Sequence, residues 1–232
     1  MQEPSLKALV LCSAGIDSVY NLLKAKKELK QVGALFFSYG QKAQVQEYSH
    51  VKKICSKLGI KLIKIDLSWY KGLNSALLDD SIKIQKYKNA KSADKSDTIL
   101  EWVPNRNGVF VNIAAAIAES SGVKEIIVGI NKEEASRYPD NSKMFLNRMN
   151  EGFKMSTLMH PRLRSYSLEL NKVEILKELA PLMKATCIGP KYMWSCYENF
   201  EKMCGSCESC VRLKGAISKN KMECEWKGLF LR

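Results

Sequence analysis

The chain has 232 residues, 46% hydrophobic and 26% charged, with 37 lysines and arginines against 24 aspartates and glutamates. Apolar content of this order excludes wholesale disorder, and the length suits one large or two small domains burying roughly 70–75% of the unfolded surface. No apolar run approaches the ~18 residues of a membrane span, and residues 1–6 show no basic-then-apolar leader, so a soluble cytoplasmic protein is expected. The formal charge of +13 favours phosphate, in a nucleotide or a nucleic acid, without choosing between them.

Residues 7–12, 31–37, 61–67 and 125–130 are near-continuous apolar runs, the pattern of parallel strands covered on both faces. Helical stretches lie between them. One is predicted from Val19. In the next, Val51, Ile54, Cys55 and Leu58 recur at helical spacing and Gly59 follows as a stop signal. A third runs from near Gly108 through the alanine-rich stretch 112–119. A fourth opens at Asn171, where Asn171 and Glu174 have capping-box spacing ahead of Ile175, Leu176 and Leu179. The alternation predicts an α/β fold: an open Rossmann-like parallel sheet with helices on both faces and a binding crevice beyond the strands' carboxyl ends. Residues 68–103 break the rhythm, and 81–95 carry five lysines and one acid, which reads as a flexible insertion and a candidate lid. The expected division is a nucleotide-binding α/β domain at 1–185 and a cysteine-bearing C-terminal segment at 186–232 packed on it.

The first chemical motif joins strand to helix. Ser13, Ala14, Gly15, Ile16, Asp17 and Ser18 are small enough for backbone N–H groups to converge on an anion, and the helix N-terminus adds partial positive charge. Gly15 can take a backbone conformation with positive φ, and Ser13 and Ser18 offer hydroxyl donors. Asp17 would repel a phosphate unless Mg²⁺ or donors stood between them. The alternative is an N-capping turn that merely connects the two elements. Neither Gly-x-x-x-x-Gly-Lys-[Ser/Thr] nor Gly-x-Gly-x-x-Gly occurs, which counts against ordinary P-loop NTPases and dinucleotide dehydrogenases.

The second motif is Cys196, Cys204, Cys207 and Cys210. Two-residue gaps let successive thiolates turn toward one ion and Cys196 closes the fourth vertex, which describes a closed, structural Zn²⁺ site. An iron–sulfur cluster is the rival, although position 214, where a further ligand would stand, is Lys. Cys12, Cys55, Cys187 and Cys224 read as buried small hydrophobes. His50 reads as solvated, and His160 as a loop residue or a pocket donor. In the loops beyond the strands, Lys42, Arg106 and Asn107 could hold phosphate or carboxylate, and Glu133, Glu134 and Asp140 could bind metal or read ring donors. Tyr39 and Trp194 could stack on a planar ligand. Each of these also has an ordinary reading as cap, core or solvated surface.

Together these stretches resemble the PP-loop ATP pyrophosphatases and, within them, the 7-cyano-7-deazaguanine (preQ0) synthase family. That family's Ser-Gly-Gly-x-Asp-Ser, Tyr-Gly-Gln, Pro-x-Arg-Asn, Tyr-Pro-Asp, Ser/Thr-Cys-Tyr and Cys-Gly-x-Cys-x-x-Cys motifs match residues 13–18, 39–41, 104–107, 138–140, 195–197 and 204–210, in order. Ala14 replaces the first glycine of the loop, and Ser38, Asn105, Asn141 and the 131–134 stretch also depart from the pattern.

The resemblance implies ATP bound, with Mg²⁺, along Cys12, the 13–18 loop and the following Val19, Tyr20, Asn21 and Leu22. It implies a deazapurine site containing Tyr39, Gln41, Asn107, Tyr138 and Asp140, with Asp17, Lys42 and Arg106 as the catalytic candidates. The implied reaction adenylates 7-carboxy-7-deazaguanine, lets ammonia displace AMP, and adenylates the resulting amide to leave the nitrile on the way to queuosine. A cytoplasmic homodimer acting on small molecules, with neither membrane nor direct nucleic-acid contact, goes with it. Two alternatives stand: a PP-loop tRNA-modifying enzyme of thiolase or lysidine type, and a non-catalytic ATP- or zinc-binding interaction module.

Overall fold

The first strand, β1 (Ala8–Leu11), is buried throughout, and its alternate residues feed two different cores. Ala8 and Val10 face one, Leu9 and Leu11 the other, as the two-residue period of a strand dictates. After it come α1 (Ile16–Leu29), β2 (Val32–Ser38), α2 (Gln44–Leu58), β3 (Lys61–Asp66) and the short α3 (Ala90–Asp94). The chain continues through α4 (Arg106–Ser120), β4 (Glu125–Ile127), α5 (Lys132–Ala135), α6 (Lys143–Ser156), β5 (Arg162–Arg164), α7 (Lys172–Thr186) and α8 (Glu208–Lys219). This computed structural model describes residues 6–95 and 99–231. Residues 1–5, most of the segment read above for a leader, and 96–98, inside the predicted insertion, lie outside the described residues.

The five strands are parallel, in the order β3-β2-β1-β4-β5. One face carries α1, α2, α7 and α8, through Val19, Val51, Ile175 and Leu213 among others. The other carries α4 and α6, through Val111, Ala115, Leu146 and Phe153. Ala114, Ala115 and Ala118 let α4 lie close to the sheet, and Phe110 stacks on Phe37 of β2 with ring centroids 4.2 Å apart. The chain steps outward from β1 to β3 and then returns past β1 to β4. Strand order therefore reverses between β1 and β4, and that is where an open α/β sheet binds ligands.

The predicted helix ends hold. Gly59 closes α2 in the left-handed region at φ 59°, and both hydrogen bonds of the Asn171–Glu174 capping box are formed. Other expectations need correction. β3 is an edge strand whose apolar residues are only partly buried, Leu62 against one core and Ile63 and Ile65 against the other. β5, α6 and α8 were not anticipated. β5 is three residues long with a single apolar one between arginines, too short to show a period. The residue with positive φ in the 13–18 loop is Ala14, at 66°, whereas Gly15 is extended at φ −64°. Cys187, which ends α7 in a left-handed conformation, and Cys224 are exposed. His50 is half-buried against Trp194, with Nδ1 2.8 Å from the Gln46 carbonyl, and His160 lies exposed in the loop after α6.

The described part of the 68–103 insertion lies against the body. Tyr70, Leu77, Leu78 and Val103 join the core under α4, and the Tyr87 amide donates to the Ser206 carbonyl at 2.7 Å. The cysteine-bearing segment is likewise continuous with the core under α1, since Trp194, Cys196, Cys207 and Leu213 share it with Val19 and Leu22.

Candidate active site

The loop after β1 enters α1 with its first intrahelical bond from the Val19 amide to the Gly15 carbonyl, 2.9 Å. The preceding amides of the first turn have no carbonyl to reach inside the helix and are left for an anion. The Ser18 hydroxyl is used within the loop: it donates to the Gly15 carbonyl at 2.9 Å and accepts from the Ser13 amide at 3.2 Å. Gly129, just past β4, closes on this turn. A Cβ there would stand 2.8 Å from the Ser18 nitrogen, so only glycine lets the two loops meet. Sequence reasoning did not single it out.

Asp17 points to the mouth of the loop, where the Lys172 ammonium lies 2.8 Å from Asp17 Oδ2 and 3.1 Å from Glu134 Oε1. Burial alone would lower the Lys172 pKa; the two carboxylates outweigh it and raise it, so the lysine stays charged. Asp17 Oδ1 is buried without a hydrogen-bond partner among the described residues. An unspent carboxylate oxygen beside a phosphate-sized nest suits a hard cation such as Mg²⁺.

Across the cleft, α4 begins at Arg106. Its Nη1 donates to the Tyr39 hydroxyl at 3.2 Å. The Asn107 amide and side chain each approach Asp140 at 3.3 Å, and Asn141 Nδ2 donates to Asp140 Oδ1 at 3.0 Å. Burial pushes the Asp140 carboxyl up, while Arg106 pulls it down. Asn105, at φ 49°, turns the chain into α4 in the left-handed region that asparagine tolerates.

Gln41 spends its side chain locally, accepting from the Tyr39 amide at 2.9 Å and donating to Glu47 Oε2 at 2.8 Å. Glu47 was not a candidate from sequence. Burial drives its carboxyl up to about 7, against the pull of Gln41 and Arg106.

One cleft of about 240 Å³ is lined by Cys12, Ser13, Gly15, Asp17, Ser18, Tyr39, Gln41, Glu47, Arg106, Asn107, Tyr138, Asp140 and Lys172. The remaining candidates fall elsewhere. Ala14 is fully buried beneath the loop, and its carbonyl accepts from the Trp194 amide at 3.0 Å. Ile16, Val19 and Leu22 face the core. Tyr20 donates to Glu178 of α7 at 2.5 Å, and Asn21 ties α1 to Ser167 and to the Tyr166 amide. Lys42 donates to the Ile82 carbonyl at 2.7 Å and lines a separate cavity with Lys71, Asp80 and Phe200.

The four cysteine sulfurs lie within 4.8 Å of one another, all buried. Backbone amides point at them: Glu198 and Cys204 donate to Cys196 Sγ at 3.3 Å, and Cys207 to Cys204 Sγ at 3.2 Å. Gly205, at φ 75°, allows the tight turn between the second and third ligands. Four convergent sulfurs with amide support could hold a metal ion, and they form a closed set.

The family of queuosine biosynthesis protein QueC matches residues 7–221. The chain is 43% identical over 221 residues to the 7-cyano-7-deazaguanine synthase of Carboxydothermus hydrogenoformans, covering 92% of this chain and 99% of that one. This chain belongs to the QueC family. It is 36% identical to the synthase of Bdellovibrio bacteriovorus, over 94% of this chain and 95% of the other. The synthase of the archaeon Methanosarcina barkeri is also 36% identical, over 89% of this chain and 91% of its own length. The QueC match spans the phosphate loop, the Arg106 helix start and the cysteine quartet alike.

Proposed function

We propose that this chain is an ATP-dependent ligase converting 7-carboxy-7-deazaguanine and ammonia to 7-cyano-7-deazaguanine. What supports the reading is that five motif stretches between residues 13 and 197 line a single cleft in a chain of this family. The α-phosphate of ATP is attacked by the substrate carboxylate, pyrophosphate leaves, and an acyl-adenylate results. Ammonia displaces AMP to give the amide, and adenylation of the amide oxygen followed by loss of AMP leaves the nitrile. Each step turns a poor oxygen leaving group into AMP. The protein's part is positioning and charge stabilisation.

In this scheme the 13–18 loop and the first turn of α1 hold the phosphates, Lys172 fixes the Asp17 carboxylate, and Arg106 faces the developing negative charge. Asp17 would hold Mg²⁺, which offsets phosphate charge when bound. The cysteine quartet would hold Zn²⁺ and brace the segment carrying Ser195 and Tyr197 into the cleft. Tyr39, Asn107, Tyr138 and Asp140 form the wall for the heterocycle, and Lys42, directed elsewhere, takes no part. The enzyme would work in the cytosol as a homodimer on small molecules, without direct nucleic-acid contact. No helix among the described residues is long and apolar enough to cross a membrane.

The test is incubation of the metal-loaded protein with ATP, Mg²⁺, ammonium and 7-carboxy-7-deazaguanine, with mass analysis of the products. Nitrile, AMP and pyrophosphate are expected. AMP without nitrile would move the substrate elsewhere, and no AMP at all would overturn the ligase reading.

A further inference from the structure

Glu208 is the first residue of α8, standing between two of the cysteines that could hold the metal ion, and only 4% of it is exposed. Its Oε1 is shared by two guanidiniums: Arg137 bonds to it through Nη1, and Arg212 Nε lies at 3.1 Å. Those arginines are anchored in turn. Arg137 Nη2 donates to the Ala93 carbonyl at 3.2 Å, and Arg212 Nη2 lies 2.7 Å from Asp94 Oδ1. Glu208 Oε2 is also buried and has no hydrogen-bond partner among the described residues. A buried carboxylate oxygen left unpaired costs roughly 1–3 kcal/mol or more, so a fold that fixes its twin this firmly holds the free one for a ligand.

The surroundings say what kind of ligand. Glu208 lines the cleft with Trp102, Tyr138 and Tyr197, and the Trp102 and Tyr138 rings lie nearly parallel, 11° apart with centroids at 5.7 Å. Flat aromatic faces favour a planar heterocycle. Two guanidiniums flank the carboxylate, so a cation arriving at Oε2 would meet them at close range, even though Arg212 is shared with Asp94 and Glu133. A neutral N–H donor would not. The heterocycle with such donors side by side is the 2-amino-6-oxo pyrimidine ring of guanine, which offers N1–H and the 2-amino group on one edge.

We propose that Glu208 is the specificity residue of the cleft, accepting hydrogen bonds from the N1–H and 2-amino edge of a guanine-type ring. The inference rests on the ligase reading and deepens it. It also gives the cysteine site a second consequence, because the residue that reads the ring is carried between two metal ligands.

The experiment compares AMP formation from 7-carboxy-7-deazaguanine and from its analogue lacking the 2-amino group, for the wild type and for Glu208→Gln, with metal content checked in each. The wild type should disfavour the analogue by at least ~100-fold in kcat/KM, since a site built around a donor leaves its acceptor bare when that donor is missing. In E208Q the KM for the guanine-type acid should rise at least ~10-fold, the KM for ATP should stay put, and the preference should fall below ~10-fold. Glu208→Asp, which keeps the charge between the guanidiniums, carries the same test if E208Q does not fold. A wild type that treats both acids alike, or variants that keep its KM and preference, overturn the assignment of Glu208 alone. A wild type inactive on both acids overturns the ligase reading and this inference with it.

Discussion

Lys172 Nζ sits 2.8 Å from Asp17 Oδ2, joining the first turn of α7 to the phosphate loop across 155 residues of sequence. With only 6% of its side chain exposed, the lysine is the sole cation within salt-bridge distance of Asp17 among the described residues. Lys172→Met should leave Asp17 and Glu134 as uncompensated neighbours and cost about 3–5 kcal/mol, the usual penalty for removing one partner of a buried pair. Urea unfolding of variant and wild type measures this. Activity should be lost as well, because the Asp17 carboxylate would no longer be held in place. A variant within about 1 kcal/mol of wild type would mean that water replaces the ammonium.

Glu47 makes stability depend on pH in a definite direction. With its carboxyl raised from the ordinary glutamate value of 4.5 to about 7, the folded state keeps a proton that the unfolded chain has released between those values. Folding is therefore helped at the acid end of that window and weakens as pH rises through about 7. The contribution lost should be about 2 kcal/mol, discounting for partial exposure. Glu47→Gln should remove that slope. Stability measured at pH 5 and pH 8 for both proteins gives the difference directly, and an equal slope in the two would rule out Glu47 as its source.

Ala14 occupies the left-handed region where the family pattern has glycine. The strain is about 1–2 kcal/mol for a residue with a Cβ. Against it stand the burial of a methyl group, about 0.8 kcal/mol, and the lower backbone entropy of unfolded alanine, about 0.4–1 kcal/mol. These nearly cancel. Ala14→Gly should lie within about 1 kcal/mol of wild type and keep its activity. Ala14→Val, branched at a positive φ, should lose more than about 2 kcal/mol. Thermal melting of the three proteins decides the order.

Arg106→Ala should lower kcat/KM for the carboxylate substrate about 100-fold, the scale of one lost stabilising donor in a transition state. Undiminished turnover would remove Arg106 from the chemistry.

The parts of the site legible in the sequence are those built from consecutive residues. The 13–18 loop and the cysteine quartet announce themselves because each packs its donors into a short stretch with small residues between. Lys172 does not. Locally it is an unremarked first residue after the Asn171 cap, and its partner lies at the other end of the chain. Glu47 looks like a solvated helix position until the fold sets it at the cleft wall against the Gln41 side chain. Gly129 sits in an apolar run that reads as strand, and only the approach of Ser18 shows why nothing larger fits. The same limit applied to the fold. Central strands are apolar on both faces and read clearly, whereas α6 hides its core residues Leu146 and Phe153 among the exposed Met144 and Met155.

Metal removal should act beyond the metal. Cys196, Cys204, Cys207 and Cys210 belong to the core under α1, so chelation or Cys207→Ser should destabilise the protein by ~3 kcal/mol or more and abolish AMP formation, not merely trim it. Elemental analysis alongside melting separates metal loss from an unrelated defect. A chelated protein with unchanged melting would show the quartet to be dispensable.

The residue before the second cysteine is held from far downstream. The Met203 amide donates to the Leu229 carbonyl at 3.1 Å, and the Leu231 amide returns to Met203 at 2.9 Å. These two bonds work like a clasp: residues 229–231 fasten the segment that presents Cys204. Cutting the chain before Leu229 would open it. Any preparation lacking residues 229–231 should therefore be judged by its metal content before its activity is interpreted.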